Sequence, residues 1–270
     1  MQGASRGSLI GARKTLNEVI SGGADAAVVG EDLLAVAGVL GGSAALRRAL
    51  SDPSREGRAR ADLIDRLFSG RISDESREVA RFAVAQRWTR DAHLSLAVEE
   101  LAVEAFLANA QRHGRLGQVE DELFRFNRIA QGHSDLQAAF SDRRASGSSK
   151  SDLVKTLLSD RVAPETLRLT SHAVATPTAR FDRALESYQL IAARRQEQVT
   201  AVVTSATELS DQQLERMGTA LSKQYGQTVN INVVVDPEVL GGVRVEIADE
   251  VIEGTISNRL SDARRHVTRT

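Results

Sequence analysis

The stretch QTVNINVVVDPEVLGGVRVEIADEVIEGTISNRL, residues Gln227 to Leu260, decides how the chain is read. Val229, Ile231, Val233 and Val235 alternate at period two, the signature of a strand with one buried face. Asp236-Pro237 breaks that run, because proline brings no ladder N–H and restricts the residue before it. Gly241-Gly242 admits backbone geometries that a side chain forbids. A second alternation follows at Val243, Val245 and Ile247, then a short piece at Val251-Ile252, and Gly254 precedes an expected basic helix. The spacing predicts a small sheet with a defined corner. No G-x-G-x-x-G and no G-x-x-x-x-G-K-[ST] accompanies it, so the glycines are not read as a phosphate cradle.

Upstream, Gln198–Ala206 carries the first strand pattern, with Val199, Ala201, Val203 and Ser205 alternating. Ser210-Asp211-Gln212-Gln213 reads as a capping box that opens a helix through Leu214, Met217 and Leu221, ending near Gly226. The expected order is strand, helix, strand, strand and a closing helix, with a right-handed crossover if the first two strands are parallel.

From Met1 to about Gln196 the periodicity is helical almost throughout. Leu9, Ala12, Leu16 and Val19-Ile20 share one face. Leu33-Leu34, Ala37 and Leu40 follow, stopped by Gly41-Gly42. Asp52-Pro53 precedes a helix carrying Leu63, Ile64, Leu67 and Phe68, and Ser73-Asp74-Glu75 caps the next, through Val79, Phe82 and Ala83. Leu94, Val98, Leu101, Ala105 and Ala108 predict a stripe on a helix over 91–112, about 33 Å long. Phe181, Leu185, Tyr188 and Ile191-Ala192 predict another over 179–196.

Displacing the chain by 90 residues aligns LRRALSDPSREGRARADLIDRLF (46–68) with LQAAFSDRRASGSSKSDLVKTLL (136–158). Eight of those 23 positions are identical without a gap, from Leu46/Leu136 through Gly57/Gly147 to Leu67/Leu157. The register extends to 31–40 against 121–130. It predicts a tandem duplication of a helical unit. The fold class expected is mainly α: two tandem bundles, then a small α+β domain with a three- to four-stranded mixed sheet. The boundaries expected are 1–90, 91–178 sharing helix 91–112 with the first bundle, and 179–270.

Composition narrows the chemistry. Of 270 residues none is cysteine, which removes disulfides and thiolate sites. Net charge is −1, and neither 1–197 (28 Lys+Arg, 26 Asp+Glu) nor the remainder (7 and 10) is a basic module for nucleic acid. No run approaches the roughly 20 apolar residues of a membrane span, and the first residues do not form a secretory signal. His93, His113, His133, His172 and His266 never pair at i+3 or i+4, so no helical metal site is expected. Glu99-Glu100 and Glu120-Asp121-Glu122 read as solvated helix faces, Ser148-Ser149-Lys150 as a loop before a helix, and Trp88 as a core anchor. Arg264-Arg265 and Arg269 suit the end of a helix as well as they suit a partner.

The C-terminal stretch resembles the signature of the δ subunit of F-type ATP synthases, relatives of the mitochondrial oligomycin-sensitivity-conferring protein. The residues that carry the resemblance are Asp236, Pro237, Leu240, Gly241, Gly242, Asp249, Val251-Ile252, Gly254, Ile256, Arg259 and Leu260. Glu253 and Ala248 depart from it, where the family usually has aspartate and often has glycine. With its helical part doubled, the chain resembles actinobacterial members. The resemblance implies a non-catalytic stator subunit without cofactor, present once per complex at the cytoplasmic face of the membrane. It implies that the helices bind the N-termini of α subunits in the catalytic head, with β as a further candidate. The C-terminal domain would then hold the C-terminal helix of subunit b, with Asp236, Pro237, Leu240, Gly241, Gly242, Asp249, Gly254, Arg259 and Leu260 shaping the docking platform. The competing expectation is a helical-repeat adaptor with other partners; an enzyme would need a nucleophile–base pair or a metal cluster that the sequence lacks.

Overall fold

In the computed structural model the described residues are 3–176, 180–196, 198–225, 228–237, 239, 241–247 and 250–253. They form two compact units, Met1–Ala193 and Arg194–Thr270.

The first unit is all helical: α1 (Ala4–Ser21), α2 (Ala26–Gly42), α3 (Ala44–Ser51), α4 (Gly57–Phe68), α5 (Asp74–Ala85), α6 (Asp91–Arg112), α7 (Leu116–Gly132), α8 (Ser134–Ser141), α9 (Gly147–Leu158), α10 (Pro164–Ala175) and α11 (Phe181–Gln196), whose last turn runs into the second unit. The starts follow local chemistry. The Asp25 carboxylate accepts from the Ala27 and Val28 amides at 2.9 and 3.3 Å, and Ser73 Oγ accepts from the Ser76 amide at 3.2 Å. Each satisfies backbone donors that a helix N-terminus leaves bare.

One hydrophobic core runs from Leu9 to Ala192. Helix α6 lies at its centre. The stripe expected on it is buried, but so are Ala97, Ala102, Val103, Phe106, Leu107 and Ala110. From Leu101 to Ala108 every residue is buried, so that stretch is covered on every side, and α6 packs against α1, α2, α3 and α5 on one side of the repeat and α7 and α10 on the other. The approach of α2 requires Gly30, where a Cβ would stand 2.8 Å from the Phe106 ring. Trp88 is buried in the connection after α5 and donates Nε1–H to the Ala83 carbonyl at 2.8 Å.

Helices α2, α3, α4 and α5 begin and end 90 residues before α7, α8, α9 and α10. Contacts repeat at the same displacement. A Cβ on Gly57 would lie 2.9 Å from the Ala85 carbonyl oxygen, and one on Gly147 would lie 2.7 Å from that of Ala175. Gly70 has φ +67° and Asp160, its counterpart, φ +60°, a conformation in which aspartate is better tolerated than most residues.

The second unit holds β1 (Gln198–Ser205), α12 (Asp211–Tyr225), β2 (Thr228–Val235), β3 (Val243–Ile247) and β4 (Glu250–Glu253) in one sheet of order β2-β1-β3-β4. β1 and β2 are parallel, joined through α12, while β1–β3 and β3–β4 are antiparallel. The fold is therefore helical with a small four-stranded mixed sheet, as the periodicity predicts. Register sets Ala201 beside Ile231 and Ile247, and Val203 beside Val233 and Val245. Ala201, Val203, Val229, Val245 and Ile247 are buried with Leu221 of α12, while Met217 packs against them. The capping box forms, with Gln213 Oε1 accepting from the Ser210 amide at 2.8 Å and Ser210 Oγ from the Gln213 amide at 3.4 Å. Three expectations, the stop near Gly226, the turn geometry at Ala248 and the closing helix after Gly254, lie outside the described residues.

Candidate interaction surfaces

In the second unit the corner between β2 and β3 is built by its own backbone. The Asp236 amide donates to the Ser205 carbonyl at 2.9 Å, carrying the β1 ladder one residue past β2. The Val239 amide then donates to the Asp236 carbonyl at 3.1 Å and the Gly241 amide to that of Val239 at 2.7 Å. Gly241 and Gly242 have φ +68° and +83°, where any Cβ would be strained. Asp236, Pro237, Gly241 and Gly242 are thus brought into one turn. Leu240, Asp249, Gly254, Arg259 and Leu260 lie outside the described residues.

The sheet has a second, mixed face. Paired positions place Val202, Thr204, Asn232, Val234, Arg244, Glu246 and Val251 opposite the α12 side. Val234 is 48% exposed and Val251 52%, flanked by an Arg244–Glu246 ion pair at 2.9 Å. Such a face offers apolar contact with charges at its rim and carries no reactive group.

In the helical unit the carboxylates expected on solvated faces are largely engaged, which corrects that expectation. Glu99 Oε1 lies 3.2 Å from His172 Nε2 and accepts from the Tyr188 hydroxyl at 3.0 Å, joining α6, α10 and α11. Burial acts to raise the pKa of Glu99, but the hydrogen bond and charge of His172, with the Tyr188 hydroxyl, outweigh it and hold the carboxyl below its ordinary value. Burial and the Glu99 charge push the Tyr188 phenol well above its ordinary value, so it stays a neutral donor. Arg13 of α1 binds Glu100 at 2.5 Å and also Glu104. Glu122 of α7 accepts from the Ala163 amide at 2.9 Å and the Thr166 hydroxyl at 2.6 Å, and Asp32 of α2 does the same for the Ser73 amide and hydroxyl at 2.8 and 2.9 Å. Asp121 remains toward solvent, paired with Arg125 one turn on, and Glu120 is half-buried.

The sequence pattern gives no sign of two buried charged groups, Glu165 and Arg60. Glu165 is 2% exposed and held by Arg115 and the Asn109 amide at 2.6 and 2.7 Å. Burial raises its pKa and these hydrogen bonds lower it, with a net fall. Arg60, 4% exposed, donates to the carbonyls of Leu50, Ala85 and Gln86 at the ends of two helices. Burial lowers its pKa. A lone arginine spaced from its partners by 10 to 26 residues leaves no mark in a helical pattern. Arg168 forms a two-pronged pair with Glu31 that links α10 to α2.

Among the described residues no reaction centre is assembled. Ser148-Ser149-Lys150 falls in the first turn of α9 rather than in a loop, because Ser146 caps the helix from two residues earlier and accepts from the Ser149 amide at 3.1 Å. Among the described residues no group of three or more His, Asp or Glu could hold a metal ion. A shallow depression of about 400 Å³ on α4 and α5 is lined by Asp65, Ser69, Asp74, Arg77, Glu78 and Arg81. Its charges close on one another, Arg77 on Asp74 at 2.8 Å and on Asp65 at 3.5 Å, and Arg81 on Asp65. No single helix among the described residues is long and apolar enough to cross a membrane.

Known proteins fit this description. The family described as ATP synthase delta (OSCP) subunit matches residues 103–267, from within α6 to near the end of the chain. Named relatives align over nearly the full length. ATP synthase subunit delta of Kineococcus radiotolerans is 43% identical over 267 residues, covering 98% of this chain and 97% of its own. That of Streptomyces coelicolor is 43% identical over 269 residues, covering 99% and 98%, and that of a Parafrankia species 45% over 279 residues, covering 100% of both. The part before residue 103 thus lies outside the family match and inside the match to these relatives.

Proposed function

The chain belongs to the ATP synthase delta (OSCP) subunit family, and from that premise we propose how its two units divide the work of a stator. It is a non-catalytic subunit of the peripheral stalk of the F-type ATP synthase, and it assembles with other subunits of that membrane-associated complex. In our reading the helical unit grips the N-terminal segments of α subunits in the catalytic head, and the C-terminal unit holds the end of subunit b. One copy then ties head to stalk at the cytoplasmic face, so the head cannot turn with the rotor. We read the helical unit as two copies of one bundle, with boundaries near 1–90 and 91–178 sharing helix 91–112, and the C-terminal part as 179–270. Among its motif residues, Asp236, Pro237, Gly241 and Gly242 shape the platform for b.

The observation that carries this reading is the pairing of a large helical core with a separate small sheet whose described residues assemble no reaction centre. Holding against torque calls for slow dissociation, and nanomolar binding corresponds to roughly −12 kcal/mol, within reach of an apolar interface of ordinary size. An amphipathic helix can lie in a groove of the bundle through apolar anchors. Each half repeats helix ends and capping contacts at 90 residues, which supports reading them as copies.

Truncation after residue 197 tests the division. Binding of the truncated chain to purified catalytic head survives, and binding to a soluble piece of subunit b is lost. The reverse pattern would overturn the assignment of units.

A further inference from the structure

The two margins of the C-terminal sheet are built differently. β4 is four residues long and carries Glu250 and Glu253 at its ends, the short, charged form that keeps an edge from pairing. β2 is eight residues long and reads TVNINVVV, without a charge or a proline. Val234 and Val235 on it are 48% and 47% exposed.

Two hydrogen bonds fix which backbone groups of β2 point outward. Asp236 donates its amide to Ser205 of β1 at 2.9 Å, so even-numbered positions face β1. Val229 donates its amide instead to Ser222 Oγ on α12 at 2.9 Å, so odd-numbered positions face away. A residue in a strand directs its N–H and C=O to the same side. Ile231, Val233 and Val235 therefore present three donors and three acceptors at two-residue spacing, with no neighbouring strand among the described residues. That row matches an extended polypeptide, whose own groups recur at the same spacing; a helix keeps its backbone groups to itself.

We propose that the outer edge of β2 is a strand-pairing site, where an extended segment of a neighbouring ATP synthase subunit adds a fifth strand. The proposal rests on the reading of the chain as a coupling subunit bound within the complex. The segment is uncharged where it passes Ile231 to Val235, because a charged side chain there would lie against Val233, Val234 and Val235. It lacks proline at the positions that pair, and it carries β-branched residues in alternation to pack beside the exposed valines.

Hydrogen exchange of single amides tests this, on the full chain alone and after rebinding to ATP synthase depleted of its own copy. Alone, the amides of Ile231, Val233 and Val235 exchange fast and those of Asn230 and Asn232 slowly. In the complex the three fast amides slow by at least about tenfold. Val233→Pro weakens rebinding by a similar factor, since proline is tolerated where an edge N–H faces outward but cannot donate to an added strand. If the chain rebinds and the three amides exchange as before, the pairing is overturned while the coupling role stands. If the chain does not rebind at all, both fall. Slowing that tracks the concentration of free chain, with no complex present, assigns the edge to self-pairing and overturns the proposal as well. The wild-type exchange decides the matter even if Val233→Pro fails to fold.

Discussion

Glu122 on α7 closes the N-terminus of α10 from another helix, its carboxylate accepting from the Ala163 amide at 2.9 Å. Ninety residues earlier Asp32 on α2 closes α5 in the same way, on Ser73. The shared geometry makes a paired prediction. Glu122→Ala and Asp32→Ala each lower stability by about 1 kcal/mol, the usual cost of losing a helix cap. Urea midpoints measured on both variants check this; a loss at one position and none at the other would contradict the equivalence of the two halves.

The glycines at the start of α4 and α9 give a second paired test. Gly57→Ala and Gly147→Ala force a methyl against a backbone oxygen, at 2.9 and 2.7 Å, and backbone cannot swing aside. Each is expected to cost about 1–3 kcal/mol, as overpacking does. Gly38 on α2 has open space around its Cβ position, so Gly38→Ala is expected to stabilise by about 0.5–1 kcal/mol through helix propensity. Thermal unfolding of the three variants reads the opposite signs.

The Glu99–His172–Tyr188 cluster predicts how stability varies with pH. The Glu99 pKa is lowered in the folded chain, so its contribution is full above the ordinary value of 4.5 and is lost as the pH falls through the folded value. The Tyr188 pKa is raised from 10.0, so its contribution is full below that and is lost as the pH climbs through the folded value. Glu99→Gln therefore flattens the acid limb of a stability–pH profile, and Tyr188→Phe flattens the alkaline limb. Unchanged profiles would show that the cluster contributes nothing.

Arg60 holds three carbonyls at the ends of α3 and α5. Arg60→Met leaves those acceptors buried and unpaired, for a loss of about 3 kcal/mol. Arg60→Lys recovers part of it. Equal loss for both, measured by denaturant unfolding, would show that packing of the side chain matters more than its donors.

Much of this was legible in the sequence. Period two over Val229–Val235 and Val243–Ile247 placed the sheet, and Asp52-Pro53, Ser73 and Ser210 marked helix ends, because strands, breaks and caps are dictated by residues close in sequence. What failed depended on distant partners. Glu99 and Glu122 read as solvated because His172, Tyr188 and Ala163 lie 41 to 89 residues away. Helix α6 read as a single stripe because alanine is neutral in such a pattern, yet Ala97, Ala102 and Ala110 let other helices close around it. The outward row on β2 depends on hydrogen-bond parity, which no composition reveals. Of the motif residues, Asp236, Pro237, Gly241 and Gly242 are seen to make the corner.

Coupling itself is the central claim. ATP synthase depleted of this chain, in sealed vesicles, is predicted to hydrolyse ATP without pumping protons, because the head turns freely once the stalk is cut. Adding back one copy per complex restores ATP-driven pumping. Full pumping by the depleted enzyme, or no recovery on adding the chain, would contradict the account.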